Sequence, residues 1–281
     1  SCDTIYRIEI NSARRNDHAR LAPPRPLRGA LLYKTPRLPA RWGEMPQVRW
    51  YNQKNESRRP RDFYLLKMSN IEIIPAINAP DFETIKKRLK AVEPFVTWVH
   101  LDVADGTFTP NTLWHNPQDL LGFETPLFLE VHLMIADMDI RFAEWMVSNV
   151  RRAIFHVEAA HDPEFVIVKI KEAGVEAGVA IRPETEWQKL EPWCAKADMV
   201  QFLAVPPGRA GQEFHPEIIE KVANIRRAHS SCIIEVDGGI NSETGRKCAA
   251  AGANILVSAN YIFNSPDIGK AIEDLKHATS Y

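Results

Sequence analysis

The chain has few cysteines and no long apolar run, and these absences exclude several classes of protein. Its 281 residues include four cysteines without a CxxC spacing, so neither a disulfide framework nor a cysteine-rich zinc site is indicated. We interpret the four as free thiols of a cytoplasmic protein. No apolar segment approaches the length of a membrane span. Because the formal net charge is only −1, we expect neither nucleic acid nor a membrane as a partner.

The first 70 residues lack any sustained hydrophobic period. They hold 15 Lys and Arg against 6 Asp and Glu, and seven prolines interrupt them. Such a segment cannot bury enough apolar surface to offset its ordering entropy, so we predict a disordered basic extension over residues 1–70. An arm that contacts nucleic acid is a less favoured interpretation, and the prolines argue against a transit peptide. We also hypothesise that the natural start is Met68, with non-native read-through before it, which the intact mass of the native protein tests.

From residue 71 the pattern becomes regular, and short β-rich runs alternate with helical ones. Eight strands are predicted, near residues 71–77, 97–103, 127–135, 152–159, 176–182, 199–205, 232–237 and 254–258. Apolar residues at helical spacing lie between them, as in Phe82, Ile85, Leu89 and Val92. Helix N-caps are expected at Asp81, Asp162 and Ser242.

Eight strand–helix units in about 210 residues indicate one α/β domain over residues 71–281. Eight such units close naturally into a (β/α)8 TIM barrel. An open doubly wound sheet is the competing architecture, but no GxGxxG motif follows the first strand. We therefore predict the barrel.

The stretch HLDVADG, which begins at His100, combines a histidine and a carboxylate with aliphatic residues in one predicted strand. Because strand side chains alternate, His100 and Asp102 share one face, and the other face carries Val99, Leu101 and Val103. In a barrel the helices bury one face of each strand, and the barrel interior buries the other. A polar inner face near the carboxyl end of a strand is where barrel enzymes place their catalytic groups.

Three further strands repeat this polar inner face. The groups are His132 with Glu130 and Met134, Asp237 with Glu235, and His156 with Glu158. One such pair could be a satisfied core group, but four strands that converge on one barrel mouth indicate a site. Imidazole and carboxylate ligands together suit a divalent metal ion such as Zn²⁺, Fe²⁺, Mn²⁺ or Co²⁺, and we expect one.

Six motifs follow one another along the barrel sequence. They are HLDVADGTFTPN, EVHLM, FHVEA, PPGRAGQEF, EVDGGIN and AAAGANILVSANYIF. In this order and at these spacings they resemble the ribulose-phosphate 3-epimerase family, over about residues 71–281. The resemblance implies a ribulose-phosphate-binding barrel and an isomerase of the pentose phosphate pathway. Its expected reaction converts D-ribulose 5-phosphate into D-xylulose 5-phosphate.

The resemblance also implies roles for the polar residues. His100, Asp102, His132 and Asp237 match the ligands of one divalent metal ion, and Asp102 and Asp237 also match the acid/base pair. Epimerisation removes the C3 proton from one face of the ketose and returns a proton to the other, through a 2,3-enediolate. Two carboxylates on opposite sides of the substrate therefore exchange roles with the direction of reaction. No redox cofactor is required.

The resemblance implies that a glycine-rich loop after the sixth strand and a Gly-Ser pair at the end of the eighth bind the substrate phosphate. Here Arg209 and Ala210 lie inside that loop, and Ala259 and Asn260 replace the pair. Arg209 either contacts the phosphate or is a solvated loop residue. The expected substrate and phosphate contacts are Asn78, Met134, Gly208, Arg209, Ala210, Gly211, Gln212, Gly238, Gly239, Ala259 and Asn260.

Further departures from the family pattern leave the preferred ketose open. The family's Pro-Ser-Ile-Leu is replaced by a segment that ends in Asn78, and Trp114, His115 and Glu184 also differ. We interpret these changes as lying at the substrate rim, so a hexulose 6-phosphate such as allulose 6-phosphate is an alternative substrate. A non-catalytic sugar-phosphate-binding barrel is a second alternative. A decarboxylase or aldol-type relative is disfavoured because DVAD has no lysine between its acids. Homo-oligomer formation stays open.

Overall fold

The computed structural model describes residues 71–147 and 149–280, which form a closed barrel of eight parallel strands. Neighbours in the chain are neighbours in the sheet, and β8 pairs with β1 to close it. The strands are β1 (Glu72–Ile77), β2 (Trp98–Ala104), β3 (Phe128–Met134), β4 (Val150–His156), β5 (Glu176–Ile181), β6 (Met199–Leu203), β7 (Ile234–Asp237) and β8 (Ile255–Ser258). The predicted TIM barrel is confirmed. The predicted disordered extension and the Met68 start lie outside the described residues.

Seven α-helices occur within the described part of the chain. They are α1 (Phe82–Val92), α2 (Met138–Arg141), α3 (Pro163–Glu172), α4 (Ile218–Ala228), α5 (Ser242–Ala251), α6 (Asn260–Phe263) and α7 (Ile268–Thr279). The apolar stripe predicted for α1 is buried at Ile85, Leu89 and Val92. Among residues 71–147 and 149–280, no helix has the length and apolar character needed to cross a membrane.

Two of the three predicted N-caps are confirmed. Asp81 accepts a hydrogen bond from the backbone N–H of Thr84 at 2.8 Å, and Asp162 accepts one from that of Phe165 at 3.0 Å. The prediction of Ser242 is wrong by one residue, since Asn241 caps α5 and forms a capping box with Thr244. Asn and Ser are both good caps, so local sequence alone does not separate them.

The predicted alternation of strands with full helices is wrong at three connections. The β2–β3 and β5–β6 connections contain only 3₁₀ turns, and the β3–β4 connection contains α2, which is four residues long, and a 3₁₀ turn. The predicted fourth strand also ends early, because residues Val157–Ala159 form a 3₁₀ turn. The sheet closes without eight long helices because each connection needs only to cover the aliphatic outer face of its strand.

The barrel has two apolar layers, one on each face of the sheet. On the outer face, Val99, Leu101 and Val103 are fully buried against the surrounding core. On the inner face, aliphatic side chains form a separate cluster that includes Ile74, Ala76, Ile154, Ala180, Met199, Ile255 and Val257. Polar inner-face residues therefore lie in an environment of low dielectric constant, where each needs a partner.

Candidate active site

Four side chains converge inside the carboxyl end of the barrel. His100 and Asp102 lie on β2, His132 lies on the neighbouring β3, and Asp237 ends β7 on another part of the wall. Asp102 and His132 are paired in the β2–β3 register, so their side chains point to the same face. One ligand-type atom from each of the four residues lies within 4.8 Å of the others. The structure thus brings together all four predicted metal ligands.

The two imidazoles present unpaired nitrogens to the two carboxylates. His100 Nε2 lies 3.4 Å from Asp102 Oδ1 and 3.7 Å from Asp237 Oδ2. His132 Nδ1 lies 3.4 Å from each of these oxygens. Both ring nitrogens are buried and have no hydrogen-bond partner among the described residues. Buried polar atoms without partners are costly, and two imidazoles with two carboxylates are a donor set for a divalent cation, so these residues fit one.

The charges around this point favour a cation. Burial alone lowers the pKa of His100, but the surrounding carboxylates outweigh burial and raise it well above its usual value, with Asp237 the strongest of them. Burial likewise lowers the pKa of His132, and its close approach to the Asp102 and Asp237 carboxylates raises it overall. Burial alone raises the pKa of Asp102, whereas its contacts with the two histidines lower it. Asp102 is therefore ionised, and the centre of the cluster attracts positive charge.

Glu130 fixes the ring of His100 from behind. The Nδ1 of His100 lies 2.7 Å from Glu130 Oε1, and the other oxygen of Glu130 accepts a hydrogen bond from Arg152 Nη1 at 2.6 Å. A carboxylate on the far nitrogen of a ligating histidine sets its tautomer and orientation. Since Arg152 already neutralises Glu130, we assign this carboxylate to orientation of the ring rather than to a second cation site.

A second buried carboxyl, Glu235, lies near the same arginine. Burial and the neighbouring Glu130 charge raise the pKa of Glu235 well above its usual value, which favours the neutral carboxyl. Its Oε1 accepts a hydrogen bond from Gln201 Nε2 at 3.0 Å. Arg152 also contacts Glu176 Oε2 at 2.7 Å and lies over the ring of Trp98, 4.4 Å from its centroid. The floor of the site is thus a compact polar network around one arginine.

We expect Arg152→Met to destabilise the fold strongly. Arg152 is 1% exposed, and its loss leaves the Glu130 charge buried without its partner. Removal of one partner of a buried ion pair costs about 3–5 kcal/mol. Urea denaturation measures this free energy of unfolding. Arg151→Met is the matched control, because Arg151 is exposed and lies over the ring of Phe128; an equal loss in both variants would contradict the prediction.

The far nitrogen of His132 is held by a second histidine. His132 Nε2 lies 2.9 Å from His156 Nε2, and burial, with the nearby His132, lowers the pKa of His156 to about 4. His156 is therefore neutral near pH 7. If His132 Nδ1 faces a cation, its Nε2–H donates to His156, whose own proton then lies on Nδ1, 3.4 Å from Glu158 Oε2. Glu158 lies in the 3₁₀ turn after β4, so the predicted strand face shared by His156 and Glu158 is wrong, although the two side chains do approach each other.

A cavity of about 630 Å³ lies at the barrel mouth beside Asp237. Seven predicted phosphate contacts line it, namely Ala210, Gly211, Gln212, Gly238, Gly239, Ala259 and Asn260. Gln212 Nε2 donates to the carbonyl oxygens of Pro206 and Arg209 at 2.6 and 2.8 Å and so closes the loop on itself. Ala259 has a φ of −100°, so alanine is accommodated there without left-handed strain.

Gly211 is a position that only glycine fits. Its φ is +88°, and a Cβ there would lie 2.4 Å from Asn260 Nδ2. The loop after β6 and the turn after β8 therefore approach each other closely across the cavity.

The other predicted contacts occupy different surroundings. The side chain of Arg209 is exposed, and its guanidinium forms neither a hydrogen bond nor an ion pair within the described part of the chain. Gly208 is buried, and its carbonyl oxygen accepts from Asn78 Nδ2. Met134 is buried against Ala104 and Leu113. None of these four side chains lines the cavity.

The interpretation of Trp114 as a rim residue is wrong. Trp114 is 4% exposed, belongs to the outer core and stacks on Phe82, with ring centroids 5.6 Å apart. Its Nε1 donates to Asp119 at 2.8 Å. Departure from the family pattern at this position therefore concerns packing outside the barrel and carries no information about the ketose.

Arg152 and Gln201 complete the floor of the site and were not predicted from the sequence. The signal was available for Arg152, because it precedes Ile154 and His156 by two and four residues and so shares their inward face. An arginine at an inward position demands buried carboxylates, and Glu130 is its register partner on β3. Gln201 had no such signal, since a lone amide on a strand is common.

Comparisons with known proteins agree with the geometry. The model of the ribulose-phosphate 3 epimerase family matches residues 72–263. A ribulose-phosphate 3-epimerase of Chlamydia muridarum (strain MoPn / Nigg) is 36% identical over 212 residues, which cover 72% of this chain and 92% of that protein. One of Bacillus subtilis (strain 168) is 33% identical over 213 residues, with coverage of 73% and 98%.

Two solved structures share the fold at low identity. A 3-hexulose-6-phosphate synthase has a TM-score of 0.56 at 14% identity, covering 74% of this chain and 99% of that one. KGPDC from Streptococcus mutans has a TM-score of 0.57 at 10% identity, with coverage of 75% and 97%. These two likenesses concern the barrel alone, whereas the sequence relatives and the family model cover most of this chain. The chain therefore belongs to the ribulose-phosphate 3-epimerase family and is an epimerase, an enzyme of the isomerase class.

Proposed function

We propose that the protein inverts C3 of a ketose phosphate and converts D-ribulose 5-phosphate into D-xylulose 5-phosphate. The observation that supports this most directly is the convergence of two carboxylates and two imidazoles beside a cavity of about 630 Å³. The carboxylates supply acid/base groups, and the cavity has room for the sugar phosphate. A family of epimerases provides the reaction class.

His100, Asp102, His132 and Asp237 would hold one divalent metal ion, through the atoms that already face one another. When bound, such an ion supplies positive charge that stabilises negative charge developing on the substrate. The mixed nitrogen and oxygen donor set suits Zn²⁺, Fe²⁺, Mn²⁺ or Co²⁺. Glu130 and His156 hold the two imidazole rings from behind, so the donor atoms are oriented before the ion arrives.

Asp102 and Asp237 carry the proton transfers. They lie on β2 and β7, which are not neighbours in the sheet, so they approach the substrate from different directions. One carboxylate takes the C3 proton and leaves a 2,3-enediolate, and the other, in its protonated form, returns a proton to the opposite face. In the reverse direction the two exchange roles. Both residues are largely buried, at 8% and 7% exposed, which limits proton exchange with bulk water.

The test follows the C3 hydrogen in deuterated solvent. With metal-loaded protein and D-ribulose 5-phosphate, we expect D-xylulose 5-phosphate that carries one solvent deuterium at C3, detected by NMR and mass spectrometry. Binding of the ketose without conversion or exchange would identify a non-catalytic barrel instead. A higher kcat/KM for allulose 6-phosphate than for ribulose 5-phosphate would identify a hexulose phosphate as the preferred substrate.

We expect Arg209→Ala to raise KM with little change in kcat. A phosphate contact lies far from C3, so it stabilises ground and transition states equally, and its loss appears in KM. Arg209 is exposed, so we take the lower end of the range for a charged hydrogen bond, which corresponds to about a 10-fold rise in KM at low salt. Steady-state kinetics at several ionic strengths measure it.

Salt dependence and a second variant provide the control. The Arg209→Ala effect shrinks as salt screens the exposed charge. Gly211→Val instead weakens binding at every salt concentration, because its side chain meets Asn260 and strains a backbone at φ +88°. An unchanged KM for Arg209→Ala at low ionic strength would make the arginine a solvated loop residue and leave phosphate binding to backbone N–H groups.

A further inference from the structure

Asn78 joins the metal cluster to the loop of residues 206–212 that follows β6. It comes directly after β1 on the face that carries Ile74 and Ala76, so its side chain enters the barrel. Its Nδ2 donates to Asp102 Oδ2 at 3.0 Å and to the carbonyl oxygen of Gly208 at 2.7 Å. A primary amide has two N–H groups, and both are used here.

These two contacts act on opposite ends of the site. Asp102 turns Oδ1 toward the two imidazoles, and Asn78 holds Oδ2, so the amide fixes the rotation of the carboxylate. A hydrogen bond from an amide to an ionised carboxylate is charge-assisted and directional. The other N–H holds the loop at Gly208, two residues before the cavity wall begins at Ala210.

Asn78 is itself held firmly from the outside of the barrel. Arg88 Nη1 donates to the backbone carbonyl oxygen of Asn78 at 2.9 Å, and the next carbonyl, that of Ala79, accepts from the backbone N–H of Trp114 at 2.9 Å. The end of β1 is therefore anchored on both sides. Because the backbone that carries the Asn78 amide is fixed, the amide can determine the orientation of its hydrogen-bond partners.

The same loop has a second side-chain anchor that does not reach the metal cluster. Thr109 Oγ1 donates to the carbonyl oxygen of Pro207 at 2.9 Å, one residue before Gly208. Thr109 is 3% exposed and forms no hydrogen bond to Asp102. Asn78 and Thr109 thus hold two adjacent loop residues, but only Asn78 also contacts Asp102. Mutation of each can therefore separate the effect of Asn78 on the loop from its effect on Asp102.

The geometry points to Asn78 as a positioning residue that holds Asp102 in its ligating orientation. The same amide couples that orientation to the position of the loop of residues 206–212. The expectation that Asn78 is chiefly a substrate contact changes accordingly, since both of its N–H groups are already engaged. A leucine, which the family pattern has at this place, can make neither bond. The kinetic part of this inference rests on the proposed function, but the metal-binding part does not.

The first measurement is the affinity for Co²⁺ alone, by competition with a chromophoric chelator. Loss of a group that orients a metal ligand costs about 10- to 100-fold in metal affinity, and we expect this for Asn78→Leu. Asn78→Asp has the same shape and replaces the donor with an oxygen that repels Asp102, so it also weakens Co²⁺ binding. Thr109→Val, the matched control, leaves the Co²⁺ affinity at the parental value.

The second measurement separates the loop from the carboxylate. Both Asn78→Leu and Thr109→Val weaken the binding of inorganic phosphate, because each releases the loop. With ribulose 5-phosphate, Thr109→Val raises KM alone, whereas Asn78→Leu raises KM and lowers kcat by about 10- to 100-fold. Circular dichroism verifies that each variant is folded, and Asn78→Asp replaces Asn78→Leu if the latter is not.

Parental Co²⁺ affinity in the Asn78 variants, or an equal loss in Thr109→Val, would overturn the inference. Parent protein that exchanges no C3 proton would instead defeat the proposed function. The Co²⁺ comparison would still decide the role of Asn78 in that case, because it uses no substrate.

Discussion

Asp237→Asn lowers kcat by several decades, toward the upper end of the roughly 10²–10⁴-fold that acid/base groups contribute. Asparagine keeps the shape of the side chain and one oxygen toward His100 and His132, but it cannot accept the C3 proton. The expected loss is therefore in turnover, with the metal largely retained. Steady-state kinetics together with metal analysis of the same preparation measure both quantities.

The more specific measurement on this variant is which epimer exchanges its C3 proton with solvent. With one of the two acid/base groups lost, the enzyme in deuterated solvent still exchanges the C3 proton of one epimer and not that of the other. Asp102→Asn gives the opposite epimer preference, because Asp102 serves the other face of the substrate. A near-normal rate for Asp237→Asn, or exchange lost equally from both epimers in both variants, contradicts the two-carboxylate scheme.

Glu235→Gln is the matched control for Asp237→Asn. Glu235 lies two residues earlier on β7 with the same inward orientation, and its side chain is fully buried. Its raised pKa, from burial and the charge of Glu130, favours the neutral carboxyl, which the amide resembles in shape and charge. The Gln201 contact to Oε1 is retained, and we expect turnover close to that of the parent enzyme.

Strand parity predicted well which side chains enter the barrel, because it depends on backbone geometry alone. Once eight buried strands were recognised, alternation assigned His100, His132 and Asp237 to the interior, and the structure has them there. The aliphatic face of β2 was assigned by the same rule and is fully buried. The alternation of side chains along a strand does not depend on how the outer helices pack, so this part of the fold could be predicted from one sequence.

Features that depend on packing between segments far apart in the chain could not be predicted from the sequence. Trp114 lies in the outer core because Phe82 and Trp145 meet it there, and no local pattern signals that meeting. The two hydrogen bonds of Asn78 reach Asp102, 24 residues away in sequence, and Gly208, 130 residues away. The alternation of β-rich and helical runs predicted a helix at every connection, yet three connections contain only short helical turns. Tertiary contacts, rather than local preference, decide these details.

Replacing both His100 and His132 by alanine abolishes metal binding and activity together. These imidazoles supply the two nitrogen donors of the cluster, and Asp102 and Asp237 then face each other without them. The single variant His132→Ala lowers metal content and turnover in parallel. Elemental analysis after dialysis against a weak chelator measures the metal, and a stoichiometric metal ion in the double variant would rule out the proposed ligand set.

His229→Ala controls for loss of a histidine elsewhere in the barrel. His229 precedes β7 at the amino end of the barrel, and its Nε2 lies 3.5 Å from Glu191 Oε1. Like His100 and His132, it has a buried ring nitrogen without a hydrogen-bond partner among the described residues. It lacks the second imidazole and second carboxylate of the site, so we expect its removal to leave metal content unchanged.

Thermal unfolding with and without metal gives a readout of the double variant that does not depend on activity. A ligand that binds only the folded state stabilises it by about 4 kcal/mol when its free concentration is 1,000 times Kd. The parent and His229→Ala proteins should therefore gain Tm as Co²⁺ or Zn²⁺ is added, and the double variant should not. An equal gain in the double variant would place the metal on other residues, whatever the enzyme's activity.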